Sequence, residues 1–141
     1  MSVILGVDPG PTSGFAIWAN YDFLSSRGDF LAESFEEWIE EFKVWALPQG
    51  REDMIDEVVV EDYVGGGRQS AEGLFTTKLV GVVIALCYEW GLPLTVQTPG
   101  VRAPFRPEAL ESGKLEKHAI DAGAHVLAKI FRDKTKGETS G

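Results

Sequence analysis

The first apolar run, Val3 to Val7, has no polar interruption and stops at Asp8, as a buried strand does at its end. Pro9, Gly10, Pro11, Thr12, Ser13 and Gly14 follow, a cluster that forces a tight reversal and leaves Asp8 at the strand terminus. Gly14 to Asn20 and Phe23 to Phe30 read as a hairpin about Asn20, Tyr21 and Asp22, so three strands open the fold. At Ser34 the period changes. Ser34 and Glu37 have the spacing of a capping box, and Phe35, Trp38, Ile39, Phe42 and Trp45 recur at helical spacing until Pro48 and Gly50. Glu57 to Tyr63 is a short strand around three valines, and a GGGR loop separates it from an apolar helix running from about Ser70 to Trp90. Leu92 to Thr98 makes a fifth strand. Residues 99–113 hold three prolines and two glycines and read as a mostly irregular surface loop; a last helix is expected from Lys114 to about Arg132. The order β, β, β, α, β, α, β, α predicts an α/β fold, a mixed sheet with helices on its faces.

At 141 residues, 44% of them hydrophobic, the chain suits one domain with a real core, here residues 1–133, followed by a disordered polar tail at 134–141. The single cysteine, Cys87, lies in the apolar stretch LVGVVIALCYEW, which rules out both a disulfide framework and a cysteine metal site. No basic segment followed by an apolar one opens the chain, and the longest apolar run, Leu79 to Tyr88, is too short to cross a bilayer. A cytoplasmic protein with no membrane partner is the expectation.

A formal charge of −9 argues against nonspecific nucleic-acid binding, which feeds on phosphate neutralisation. The charge is polarised, however. Residues 1–63 carry 14 acids and 3 bases, net −11, and residues 64–141 carry 8 acids and 10 bases, net +2. The basic half holds Arg68, Arg102, Arg106 and Lys114.

Asp8 and Glu61 each close an apolar strand. If those strands lie side by side and parallel, both carboxylates emerge at one sheet edge, where open sheets place their ligands, and a divalent cation is the usual remedy for their repulsion. Asp62 points to the other face by the period of two. On the last helix His118, Asp121 and His125 share one face with Lys114 and Arg132, opposite Leu115, Ala119, Val126, Leu127 and Ile130. Such a stripe reads either as the solvated side of a helix or, with both histidines of the chain on it, as part of a cation site. Asp8 likewise reads either as a turn former or as a ligand.

Taken in order, GVDPGPTSGFAIW, VVVEDYV and KHAIDAGAHVLAKI resemble the RuvC-type Holliday junction resolvases over nearly the whole domain. The resemblance implies a ribonuclease H-like fold, a five-stranded mixed sheet of three antiparallel strands and then parallel ones, flanked by helices. It also implies four metal-binding positions, two early carboxylates and a pair on the last helix whose first member is Asp or His. Carried over, these catalytic and metal positions are Asp8, Glu61, His118 and Asp121. Two Mg²⁺ ions, with Mn²⁺ as a substitute, would then serve an in-line attack on a DNA phosphodiester.

The activity so implied is a metal-dependent, structure-selective endonuclease that resolves four-way junctions in recombination. Tyr63, Arg68, Arg102, Arg106 and Lys114 are its DNA-binding candidates, with Tyr63 and the Gly65 to Arg68 loop directed at the junction centre. A junction is two-fold symmetric, so a homodimer is the natural partner geometry. The rival readings are a nuclease of the same fold that cuts flaps or forks, half of an actin-like ATPase, whose complete two-lobed form needs far more than 141 residues, and a noncatalytic binding module.

Overall fold

The computed structural model describes residues 2–47, 54–62, 71–116 and 119–139. Five strands, β1 (Ile4–Asp8), β2 (Thr12–Ala19), β3 (Asp22–Leu31), β4 (Glu57–Glu61) and β5 (Leu94–Gln97), form one sheet in the order β3-β2-β1-β4-β5. β1 pairs with β2 and β2 with β3 antiparallel, whereas β1–β4 and β4–β5 are parallel. Ile4 stands beside Glu57 and Val7 beside Val60, so the next step along both strands brings Asp8 and Glu61 to the same edge. Glu61 is in turn in register with Gln97. The parallel alignment on which the sequence argument depends is therefore present.

Alternation along the strands divides the core in two. Leu5, Val7, Phe15, Ile17, Val58 and Val60 face the helices α1 (Phe35–Ala46) and α2 (Ala71–Trp90), where they meet Trp38, Phe42, Leu79, Val83 and Cys87. Ile4, Ala16 and Val59 face the last helix, α4 (Ala119–Thr139). Gly6, Asp8 and Glu61 share that second face by the same period. At Gly6 the helix passes so close that an added Cβ would meet the Ala122 carbonyl oxygen and lie 2.7 Å from Val126 Cγ2. Ala119, Ala122, Ala124 and Ala128, all buried, keep α4 slim enough to lie there.

The turn after β1 is fixed by one hydroxyl. Ser13 Oγ donates to the Gly10 carbonyl (3.0 Å) and accepts from the Gly10 N–H (3.1 Å) and from Trp38 Nε1 (2.9 Å), all of it buried. α1 is thereby tied to the loop that presents Asp8. Ser13→Ala should lower stability by about 1–3 kcal/mol, the cost of leaving buried polar groups unpaired. A denaturant midpoint that does not move would show that the turn holds without it.

α1 starts as expected, with Ser34 Oγ accepting from the Glu37 N–H (3.1 Å), although the Glu37 carboxylate reaches back to the Glu33 N–H (3.3 Å) rather than to Ser34. The hairpin turns on Asn20 and Tyr21, both at positive φ, as a two-residue loop requires. Three expectations are corrected. Residues 99–111 are not irregular but form a 3₁₀ turn, Pro99–Phe105, and a short helix α3, Arg106–Glu111. Pro99 and Pro107 fall in first turns, where a missing N–H costs nothing, so they start these segments instead of breaking them. Gly113, at φ +69°, ends α3, and Lys114 is not part of α4, which runs on to Thr139 through residues assigned to a polar tail. Once nucleated by its packed half, a helix gains a hydrogen bond with each residue it adds, and Lys129 pairs with Asp133 (2.5 Å) one turn on. Finally, α2 as a whole is long and apolar enough by composition to cross a membrane, which the run Leu79 to Tyr88 alone is not. In this fold its Leu79, Val83 and Cys87 lie against the sheet.

Candidate active site

Three elements converge at the C-terminal ends of the parallel strands. β1 and β4 deliver Asp8 and Glu61 side by side, close enough for each carboxyl to shift the other's titration. α4 brings Asp121 in its first turn and the imidazole of His125 one turn later. His125 is completely buried; its Nδ1 lies 2.6 Å from Gln97 Oε1 and its Nε2 3.0 Å from Glu61 Oε1. Arg102, from the 3₁₀ turn, donates to Glu61 and holds Asp121 with its Nε at 3.2 Å. Arg106 reaches the same Asp121 oxygen at 3.1 Å.

Charge is unevenly settled in this cluster. Burial, the hydrogen bond and charge of Glu61 and the charge of Asp121 together push Asp8 up to about 9, against a pull in the other direction from Arg102. Burial acts to raise Glu61 as well, but hydrogen bonds from His125 and Asp8 and the Arg102 charge outweigh it and hold Glu61 below the ordinary carboxylate range. Of the two carboxyls, Asp8 is therefore the one that keeps its proton at neutral pH. A carboxyl pair that keeps a proton at neutral pH is one that a cation would relieve.

The donor set fits a hard divalent cation: carboxylate oxygens from adjacent strands, one proton to displace and a fixed imidazole behind Glu61. Among the described residues no three of His, Cys, Asp or Glu yet stand close enough to enclose an ion, and Asp121 is engaged by the two arginines.

The fold thus brings together Asp8, Glu61 and Asp121 of the four expected metal positions; His118 lies outside the described residues, as do Tyr63 and Arg68. Arg102 and Arg106 are at the site, bound to its carboxylates. Lys114 is not: it pairs with Asp22 at the start of the edge strand β3, and that contact holds the Asp22 carboxyl below its usual range. His125 is corrected from a solvated or ligand position to a buried group beneath Glu61. Together with Gln97 it was absent from the expected site set. Its signal was the spacing of four from Asp121, and that of Gln97 was its place at the end of the fifth strand.

A five-stranded sheet of three antiparallel and then parallel strands, flanked by helices, with carboxylates ending its first and fourth strands, is a ribonuclease H-like α/β fold. In particular it is the fold of RuvC. Thermus thermophilus RuvC in complex with Holliday junction substrate matches with a TM-score of 0.69 at 20% identity, covering 96% of this chain and 96% of that one. A second Thermus thermophilus RuvC structure matches with a TM-score of 0.66 at 19% identity, covering 95% and 96%. No protein-family model matches the chain, and no curated protein is significantly similar to it.

Proposed function

We propose that this chain is a divalent-metal-dependent DNA endonuclease that cuts four-way junctions as a homodimer. The observation that carries this reading is the placement of Asp8 and Glu61 at the ends of adjacent parallel strands, with Asp121 of the facing helix joined to Glu61 through Arg102. The likeness of the fold to a RuvC in complex with Holliday junction substrate supports the choice of DNA.

Asp8, Glu61, Asp121 and His118 are the residues to hold two Mg²⁺ ions, with Mn²⁺ able to replace them. Bound there, the ions supply an activated water and charge stabilisation at the leaving 3′ oxygen. The remaining work belongs to the chain's own groups. Gln97 and His125 hold the Glu61 carboxylate in one orientation, so that it does not have to be ordered when the ion arrives. Arg102 and Arg106 are within reach of a phosphate at the carboxylates, and a guanidinium meets phosphate with paired N–H donors. Tyr63 and Arg68, which follow β4 in the sequence and lie outside the described residues, complete the set of proposed DNA contacts. For the homodimer, α2 supplies a surface: Leu74, Ile84 and Tyr88 project from it, Tyr88 being 89% exposed. A two-fold pairing would set two sites on opposite strands of a two-fold junction.

Labelled four-way, flap and linear DNA, incubated with Mg²⁺, Mn²⁺ or chelator, test the reading, with sedimentation of the same sample. Metal-dependent cutting of the four-way substrate by a dimer is expected, with DNA affinity falling steeply as salt rises. Preference for flaps or forks would replace junction resolution by a broader branched-DNA activity. Folded protein that leaves every branched substrate intact would refute the nuclease.

A further inference from the structure

The carboxylates of this site already have a counter-ion, and the chain supplies it. The Arg102 guanidinium spans Glu61 on β4 and Asp121 on α4, the strand and helix groups that would have to face a common cation. Arg106 adds a second positive charge on Asp121. Both arginines come from one segment, residues 99–111, built of two short helices, and their side chains are 27% and 50% exposed. His125, which also touches Glu61, is completely buried and cannot leave without unpacking α4. The arginines are partly exposed, and apart from the carboxylates Arg102 donates to the Pro99 carbonyl of its own turn (3.1 Å).

We infer that Arg102, assisted by Arg106, is a resident counter-ion that a divalent cation displaces from the carboxylates and that a DNA phosphate then takes up, so that cation and DNA bind cooperatively. The DNA half of this inference rests on the nuclease reading; the cation half does not. A guanidinium is fitted to carboxylate and to phosphate by the same planar fork of donors. It cannot serve both at once. A cation that takes the Glu61 and Asp121 oxygens frees the guanidinium for phosphate, and a phosphate that captures the guanidinium uncovers the carboxylates. Linkage makes the two effects equal in size. An arginine that merely braced the 3₁₀ turn against the sheet would weaken the site when removed, and would not improve its hold on a cation.

The experiment measures Mn²⁺ affinity without DNA, by calorimetry or electron paramagnetic resonance, for the wild type, Arg102→Gln, Arg102→Lys and Arg106→Gln at one pH. Arg102→Gln should bind Mn²⁺ about tenfold more tightly, equivalent to ~1.4 kcal/mol. Arg106→Gln should gain less, since it touches Asp121 alone, and Arg102→Lys, which keeps the charge, should gain least. In a second arm, Ca²⁺ should raise the affinity of the wild type for four-way DNA several-fold, and Arg102→Gln should lose that rise. Unchanged or weaker Mn²⁺ binding by a folded Arg102→Gln would overturn the counter-ion role; if that variant does not fold, the same result for Arg106→Gln overturns it. A wild type whose DNA affinity ignores Ca²⁺ would overturn the coupling. Should the cation effects appear while no DNA is ever cut, the counter-ion stands and the nuclease falls.

Discussion

Asp8→Asn is expected to reduce DNA cleavage by at least about a thousandfold while raising the melting temperature of the metal-free protein. Asparagine keeps the shape and the capacity to form the turn, but it cannot supply the charge that an ion needs. The stability gain follows from the proton that Asp8 holds. Its carboxyl titrates at about 9 in the folded chain, against an ordinary value of 3.8, so between those limits the folded state binds more protons than the unfolded one and stability falls as pH rises. Glu61, held low, acts oppositely: its contribution is present above the ordinary carboxylate range and is lost as acid protonates it. Replacing Asp8 removes the first slope and leaves the part of the second that His125 and Arg102 support. Relief of about 1–2 kcal/mol, typical of a strained buried polar group, corresponds to roughly 3–8 °C in a domain of this size. Melting curves from pH 5 to 9, with and without Mg²⁺, read it directly. An Asn variant that still cuts DNA, or that melts lower than wild type without metal at every pH, would remove Asp8 from the ligand set.

The second large effect is expected at Gly6, which has no chemistry of its own. Gly6→Ala places a methyl group against the Ala122 carbonyl oxygen, a backbone atom that no rotamer change can move aside. Destabilisation of about 3 kcal/mol or more should result, at the upper end of what overpacking costs. Because Asp121 and His125 flank Ala122 on α4, the folded remainder should also cleave poorly: displacement by about 1 Å can cost a hundredfold. Val126→Ala in the same chain relieves only the side-chain part of the clash, 2.7 Å from Val126 Cγ2. Full rescue by that second change would show that the backbone contact does not matter.

How far the sequence could be read depended on whether the deciding contact was local. Ser34 and Glu37 mark the start of α1 because a cap is settled within four residues. Asp8 and Glu61 were legible because each ends an apolar strand, and only the parallel pairing of β1 and β4 had to be supplied. The 99–111 segment was misread because proline breaks a helix in its interior and starts one in its first turn, and position within an unseen helix separates the two. His125 was misread for a different reason. A polar residue four positions from Asp121 looks like another member of a solvated stripe until Glu61 and Gln97, 64 and 28 residues away in the chain, are known to lie above it. The distribution of bases along the chain pointed to Arg102 and Arg106 but could not show that they sit on carboxylates, nor that Lys114 is drawn away to Asp22.

The position of α4, last in chain order and packed across β1, also governs when the site can come into being. β1 and β4 can pair as soon as residue 61 is available, yet Asp121 and His125 reach them only after the helix closes over Gly6. A chain still being synthesised, or one whose final helix has come loose, carries both strand carboxylates but neither the helix carboxylate nor the imidazole that orients Glu61. Docking of the final helix therefore completes the candidate site, and a copy in which it is undocked holds only the two strand carboxylates.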